Sequence, residues 1–167
     1  MKAMDIEDMR HELAQLGSGA HALATQILGN RDDAADAVHD AFATVLARPT
    51  VFDENKGQLR PWFLRVVRNR CIDLLRGRRD NVVDVEALID PAATPEEVLQ
   101  TEQRVQAIRR SLATLSDDKR EIIVLRDYLD LSYAEIAEVL GIAPGTVMSR
   151  LHRSRLALKE ALNSDGK

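Results

Sequence analysis

Charge in this 167-residue chain is sorted into blocks, and the sorting limits what the chain can fold into. Eight Lys and Arg residues and one acid, Asp73, lie between Lys56 and Arg79; seven acids and no Lys or Arg lie between Asp80 and Glu102. The acidic stretch from 80 to 94 has no sustained helical period, so it cannot bury a face and reads as a linker. It splits the chain into a helical unit at 1–79 and another at 95–163. Aromatic residues make up only 4% of the sequence, which argues against one large core and for two small ones built on Leu, Ile, Val and Ala. The formal net charge of -4 would by itself argue against a nucleic-acid partner, but a basic block of this length is a candidate anionic-ligand surface whatever the total.

Both units read as all-α. Apolar residues recur at helical spacing from Ile6 to Leu16, ending at Gly17, and again up to Leu28 before Gly29. Asn30 is placed to cap the next helix, whose stripe is Ala34, Val38, Ala41, Phe42 and Val45. Turn residues follow from Arg48-Pro49 to Gly57, and Pro61 opens a helix reaching about Arg79. In the second unit, Thr94 and Glu97 form a capping-box pattern. Helices are expected to about Ala113, from Ser116 to about Tyr128, and on both sides of Gly141.

The segment around Gly141 is a helix-turn-helix pattern. Ser132 and Glu135 form a second capping box, Gly141 ends the short helix, and Pro144 begins the next. At 3.6 residues per turn, Val147, Leu151 and Leu158 face inward, while Met148, Ser149, His152 and Arg153 face outward with Arg150 and Arg155 at the flanks. Ser, His and Arg can reach phosphates or base edges. Leu156 also winds outward.

In the helix after Pro61, Phe63, Val66, Val67, Cys71, Leu74 and Leu75 wind to one side and Arg65, Arg68, Asn69, Arg76 and Arg79 to the other. The outer face could follow a phosphate backbone, with Asn69 available to an unstacked base. Arg70 falls toward the apolar arc and does not fit. Trp62 is expected in the core beside Phe63. The lone Cys71 supplies neither a disulfide framework nor a Cys-rich zinc site and is expected as a small buried hydrophobe.

Asp32-Asp33-Ala34-Ala35-Asp36 spells the aspartate-rich pattern with which helical isoprenoid synthases hold magnesium and diphosphate. That chemistry needs a large cavity and a second acidic motif, and neither unit is long enough to enclose one. An acidic docking face is the better reading, and neither catalysis nor a cofactor is expected. The first ten residues are no signal peptide and no stretch has the apolar length of a membrane span, so a cytoplasmic protein without membrane insertion is expected.

With these three segments placed, the chain resembles the extracytoplasmic-function (ECF) group of bacterial sigma factors, which contain only regions 2 and 4. Ile27 to Phe42 is similar to that group's core-binding segment. Phe52-Asp53, Trp62 to Arg65, Asn69 and Asp73 to Arg76 are similar to its -10 segment. Leu115 to Arg155 is similar to its -35 domain. The resemblance implies a non-catalytic subunit that directs polymerase to promoters and assists melting. It implies that Asp32, Asp33, Asp36, His39 and Asp40 meet the clamp helices of core RNA polymerase's largest subunit, with a further contact at the flap region. Lys56, Arg65, Arg68, Asn69 and Arg76 would hold the -10 strand, the loop from Phe52 to Leu59 helping to seat an extruded base. Thr146, Met148, Ser149, Arg150, His152 and Arg153 would read the -35 element. An anti-sigma protein is implied as a further partner.

Three departures stand out. Met148 replaces a usual Lys or Arg, His39 a usual Gln, and the part before Ile27 suggests an abbreviated first helix. The alternative is a stand-alone helix-turn-helix regulator binding duplex DNA without polymerase. It would need a dimer seam, which the sequence lacks, and would leave the basic helix unexplained.

Overall fold

Asp5 supplies its side chain to the Ile6 amide and starts α1, Ile6–Leu28, the first of the helices in a computed structural model that describes residues 4–78 and 98–166. The expected linker at 80–94 and the Thr94–Glu97 capping box lie outside the described residues. α1 runs unbroken for 23 residues through Gly17, where a stop was expected. Packing overrides the propensity penalty of about 1 kcal/mol for a glycine inside a helix. Met9, Leu13, Ala20, Leu23 and Leu28 are all buried along one side. A Cβ at Gly17 would be 3.8 Å from Phe42 and one at Gly19 only 3.3 Å from Leu129, so the second glycine sits where a close neighbour needs the room. α1 does end on glycine, at Gly29, whose φ of 69° is left-handed.

Asn30 then caps α2, Arg31–Ala47, accepting from the Asp32 and Asp33 amides at 2.9 and 3.0 Å. Two short 3-10 turns, Pro49–Val51 and Glu54–Lys56, lead to α3, Leu59–Arg76. α3 buries Phe63, Leu64, Val67 and Cys71 against α1 and α2, with the Phe42 and Phe63 rings 4.8 Å apart. Each fully buried Leu or Phe contributes about 1.5–3 kcal/mol. Trp62 is half-buried, not enclosed, and packs against Phe52 at 5.1 Å between ring centroids. Arg70, which the helical wheel left unexplained, reaches sideways to Asp40 of α2 at 3.0 Å.

The second half comprises α4, Val98–Thr114; α5, Asp117–Ile123; α6, Tyr133–Leu140; and α7, Pro144–Asp165. α5 and α4 pack on α7. The guanidinium of Arg120, only 2% exposed, donates to the carbonyls of Leu112 and Leu115 and pairs with Asp117 at 2.6 Å, closing the end of α4. α5 continues into one π turn, Val124–Tyr128, closed by Leu129 N–H donating to the Val124 carbonyl at 2.9 Å. That turn aims Leu129 away from its own half. The buried side chains of both halves join in one continuous cluster, α3 lying against α6 and α1 against α5. Sequence periodicity suggested two separate cores; the structure joins them.

Candidate nucleic-acid interface

The helix-turn-helix is fixed from several directions. Ser132 and Glu135 close a capping box, with bonds of 3.1 Å to the Glu135 amide and 2.8 Å from the Ser132 amide. Gly141 takes a left-handed φ of 66°, which lets Ile142 donate to the Ala137 carbonyl at 3.0 Å and turns the chain into Pro144. Arg126 donates to the Leu131 carbonyl at 2.7 Å and lies 5.3 Å from the centroid of the Tyr133 ring, holding the entry to α6.

On this base α7 buries Val147, Leu151 and Ser154, whose hydroxyl donates to the Arg150 carbonyl at 2.7 Å. Leu158 was expected with them but is half-buried, because the inward arc ends at Ser154 one turn earlier. The outer face is open: Met148 is 61% exposed, and Ser149, Arg150, His152 and Arg153 are exposed beside it. Thr146 is half-buried, and its carbonyl accepts from the Ser149 hydroxyl at 3.1 Å. Arg155 is turned away from this row into a two-pronged pair with Asp127.

The basic face of α3 is less free. Arg65 and Asn69 are exposed, Arg76 stands 3.8 Å from Asp73, and Lys56 lies 3.8 Å from Asp53. Asp53 accepts from the backbone and side chain of Asn55, which holds its carboxyl below the ordinary carboxylate range. Arg68 does not project into solvent. Its Nε and Nη2 donate to the two carboxylate oxygens of Glu121 on α5 at 2.5 and 3.3 Å, with side-chain exposures of 20% and 9%. Arg60 donates to the Leu129 carbonyl, and a Cβ on Gly57 would lie 3.2 Å from a carboxylate oxygen of Glu138. Sequence reasoning missed Glu121, Glu138 and Arg60. One signal was available: Glu121 sits four residues before the buried Leu125, on the inward arc of its helix.

On α2, Asp32, Asp36, His39 and Asp40 are exposed and Asp33 is half-buried. Two of these acids are paired to α3 or the residues just after it, Asp40 to Arg70 and Asp33 to Arg78. Asp32, Asp36 and His39 form no ion pair among the described residues. Cys71 is buried, and desolvation pushes its thiol up to about 12, so it lacks the thiolate character of a redox sensor. Among the described residues no helix is long and apolar enough to cross a membrane.

Residues 13–80 match the family described as Sigma-70 region 2, and residues 105–158 match Sigma-70, region 4. The chain is 30% identical over 154 residues to the ECF RNA polymerase sigma factor SigW of Bacillus subtilis, covering 85% of this chain and 82% of that one. It is 34% identical over 149 residues to the ECF RNA polymerase sigma factor SigL of Mycobacterium tuberculosis, covering 86% and 82%. Among solved structures, the sigma factor RpoE of Bartonella quintana, crystallised with the anti-sigma factor NepR, superposes with a TM-score of 0.75 at 28% identity, over 94% of this chain and 98% of that one.

Proposed function

Since the chain belongs to the ECF group of RNA polymerase sigma factors and is a polymerase-directing subunit, we propose a division of labour among its three charged helices. The exposed acids of α2, Asp32, Asp36 and Asp40 with His39 and the half-buried Asp33, dock on core polymerase. Arg65, Arg68, Asn69 and Arg76 of α3, with Lys56 in the preceding turn, hold the -10 strand. The outer row of α7, Thr146, Met148, Ser149, Arg150, His152 and Arg153, reads the -35 duplex. Region 2 ends near residue 79 and region 4 occupies 95–163, with the acidic segment 80–94 between them.

The observation that carries this reading is the open face of α7, a row of polar readers around Met148 held outward by buried Val147 and Leu151. Arginines on α3 supply the second, sequence-independent grip, since phosphate contacts position the protein and base contacts specify. Extruding a -10 base costs a few kcal/mol of unstacking. The α3 contacts, with polymerase, offset that cost. Sigma factors are regulatory subunits, and the chemistry of transcription belongs to the polymerase they join. An anti-sigma protein covering these faces is part of the proposal, supported by the likeness to a sigma factor solved with one.

The test is run-off transcription with purified core bacterial polymerase on a pool of random promoter fragments, with and without the protein. Starts that require the protein and share two spaced elements support the assignment of α3 and α7. Duplex binding without core binding would hand the case to the stand-alone regulator.

A further inference from the structure

The contacts that join the two halves have a consistent chemistry. In the hydrogen bonds that cross between them among the described residues, the donors, Arg60 and Arg68, stand on α3, which is assigned to the promoter strand, and the acceptors belong to region 4. Glu121 of α5 takes both prongs of Arg68. The carbonyl of Leu129, brought forward by the π turn, takes Arg60 at the start of α3. The Glu138 carboxylate of α6 lies over Gly57 in the loop assigned to the extruded base. Leu129 also presses its side chain toward Gly19 of α1. A carboxylate taken in a fork by a guanidinium presents the same two-oxygen edge as a phosphate.

We propose that region 4 stands in for the promoter strand: Glu121, Glu138 and the Leu129 carbonyl occupy the places of strand phosphate oxygens on region 2, so that region 4 and single-stranded DNA compete for one surface. This rests on the assignment of α3 and its preceding loop to the -10 strand. The closed form covers the Arg68 part of that strand site, leaving Lys56, Arg65, Asn69 and Arg76 exposed, and it leaves the α7 reading face exposed as well. It is also a form that a better ligand can open. Burial holds the Glu121 carboxyl above its ordinary range while Arg68 pulls it back, so the pair only partly offsets its own dehydration.

The full chain without polymerase provides the test. Two readouts are needed: small-angle X-ray scattering for compactness, and fluorescence anisotropy with a fluorescein-labelled strand of twenty thymidines for strand access. Glu121→Ala is compared with Glu160→Ala, which removes the same charge from the exposed face of α7. Circular dichroism verifies folding, and Glu121→Gln replaces the alanine variant if that one fails to fold. Glu121→Ala is expected to expand the scattering profile and to tighten strand binding roughly fivefold or more, as release of an arginine phosphate contact should. Glu160→Ala should change binding less than about twofold, being a surface charge far from the contact. The swapped pair Arg68→Glu/Glu121→Arg should restore compactness without restoring strand binding.

If Glu121→Ala neither expands the chain nor outbinds Glu160→Ala, the proposal is overturned. A different failure points elsewhere: the chain expands, yet adding Arg65→Glu and Arg68→Glu does not weaken strand binding. That outcome would sink the strand assignment of α3, and the competition with it, while leaving closure itself intact.

Discussion

α3 and α7 carry the same sequence signal, a helix with arginines on the face opposite its apolar stripe, yet the fold treats them differently. On α7 the outer row from Met148 to Arg153 is open, and only the flanking Arg155 is tied down, by Asp127. On α3 and its neighbours Arg60, Arg68, Arg70 and Arg76 each have a partner, and Arg68 is largely covered. α7 packs against α4, α5 and α6 of its own half and keeps its outer face. α3 packs against α1 and α2 and also meets α6 of the other half, which takes up part of its outer face. Arginine on an outward arc therefore signals a candidate anion contact, and availability depends on what packs beyond it.

The sharpest way to break this comparison is to remove the outer grip of α3 altogether. Arg65→Glu with Arg68→Glu is expected to lower run-off transcription by about 100-fold or more, since two phosphate contacts become repulsions, while binding to core polymerase is retained. Equal loss of both activities would count against separate docking and strand faces. Asp36→Arg with Asp40→Arg should show the reverse, losing competition for core polymerase first.

Next in size is the base on which α7 stands. Leu151 is 1% exposed, so Leu151→Ala should cost about 2–5 kcal/mol in chemical denaturation. Leu156, 47% exposed on the same helix, should cost within about 0.5 kcal/mol when truncated to Ala. A large cost at Leu156 would mean that the outer face of α7 has structural duties after all.

A smaller contrast separates the two arginines near the end of the reading row. Arg153→Ala should leave stability within about 0.5 kcal/mol and weaken duplex binding at every salt concentration tried. Arg155→Ala should remove a partly exposed ion pair worth about 0.2–1 kcal/mol and weaken duplex binding less. Reversal of that order in anisotropy titrations would move the reading face around the helix.

The smallest effect concerns the inner side of α3. In the folded chain the Cys71 thiol keeps its proton to about 12, whereas the ordinary value is 9.0. Above pH 9 the unfolded chain releases that proton and the folded chain does not, so stability falls as pH rises through this window. Denaturation midpoints at pH 7 and pH 10 should therefore differ less in Cys71→Ala than in the parent. At pH 8 the parent thiol should resist a disulfide reagent until the chain unfolds.

Much of the fold was legible beforehand. Asn30, Pro144, Gly29 and Gly141 each stand at the helix end that their chemistry suits, and the Ser132 capping box forms with both of its bonds. Gly17 misled, because a local propensity cannot weigh the burial gained on either side of it. The open row of α7 was also readable, since its position follows from the period of one helix and the burial of Val147 and Leu151.

What the sequence by itself determined is therefore most of the helices and their ends, Gly17 excepted, and the direction most side chains take from their own axis. These depend on residues within a few positions of one another. Only the tertiary structure decided which charged groups meet. Arg68 and Glu121 are 53 residues apart, and Arg60 and Leu129 are 69 apart. No helical period reaches across such distances. Those pairings depend on how one half packs against the other, which is set by the joint burial of apolar surfaces from both.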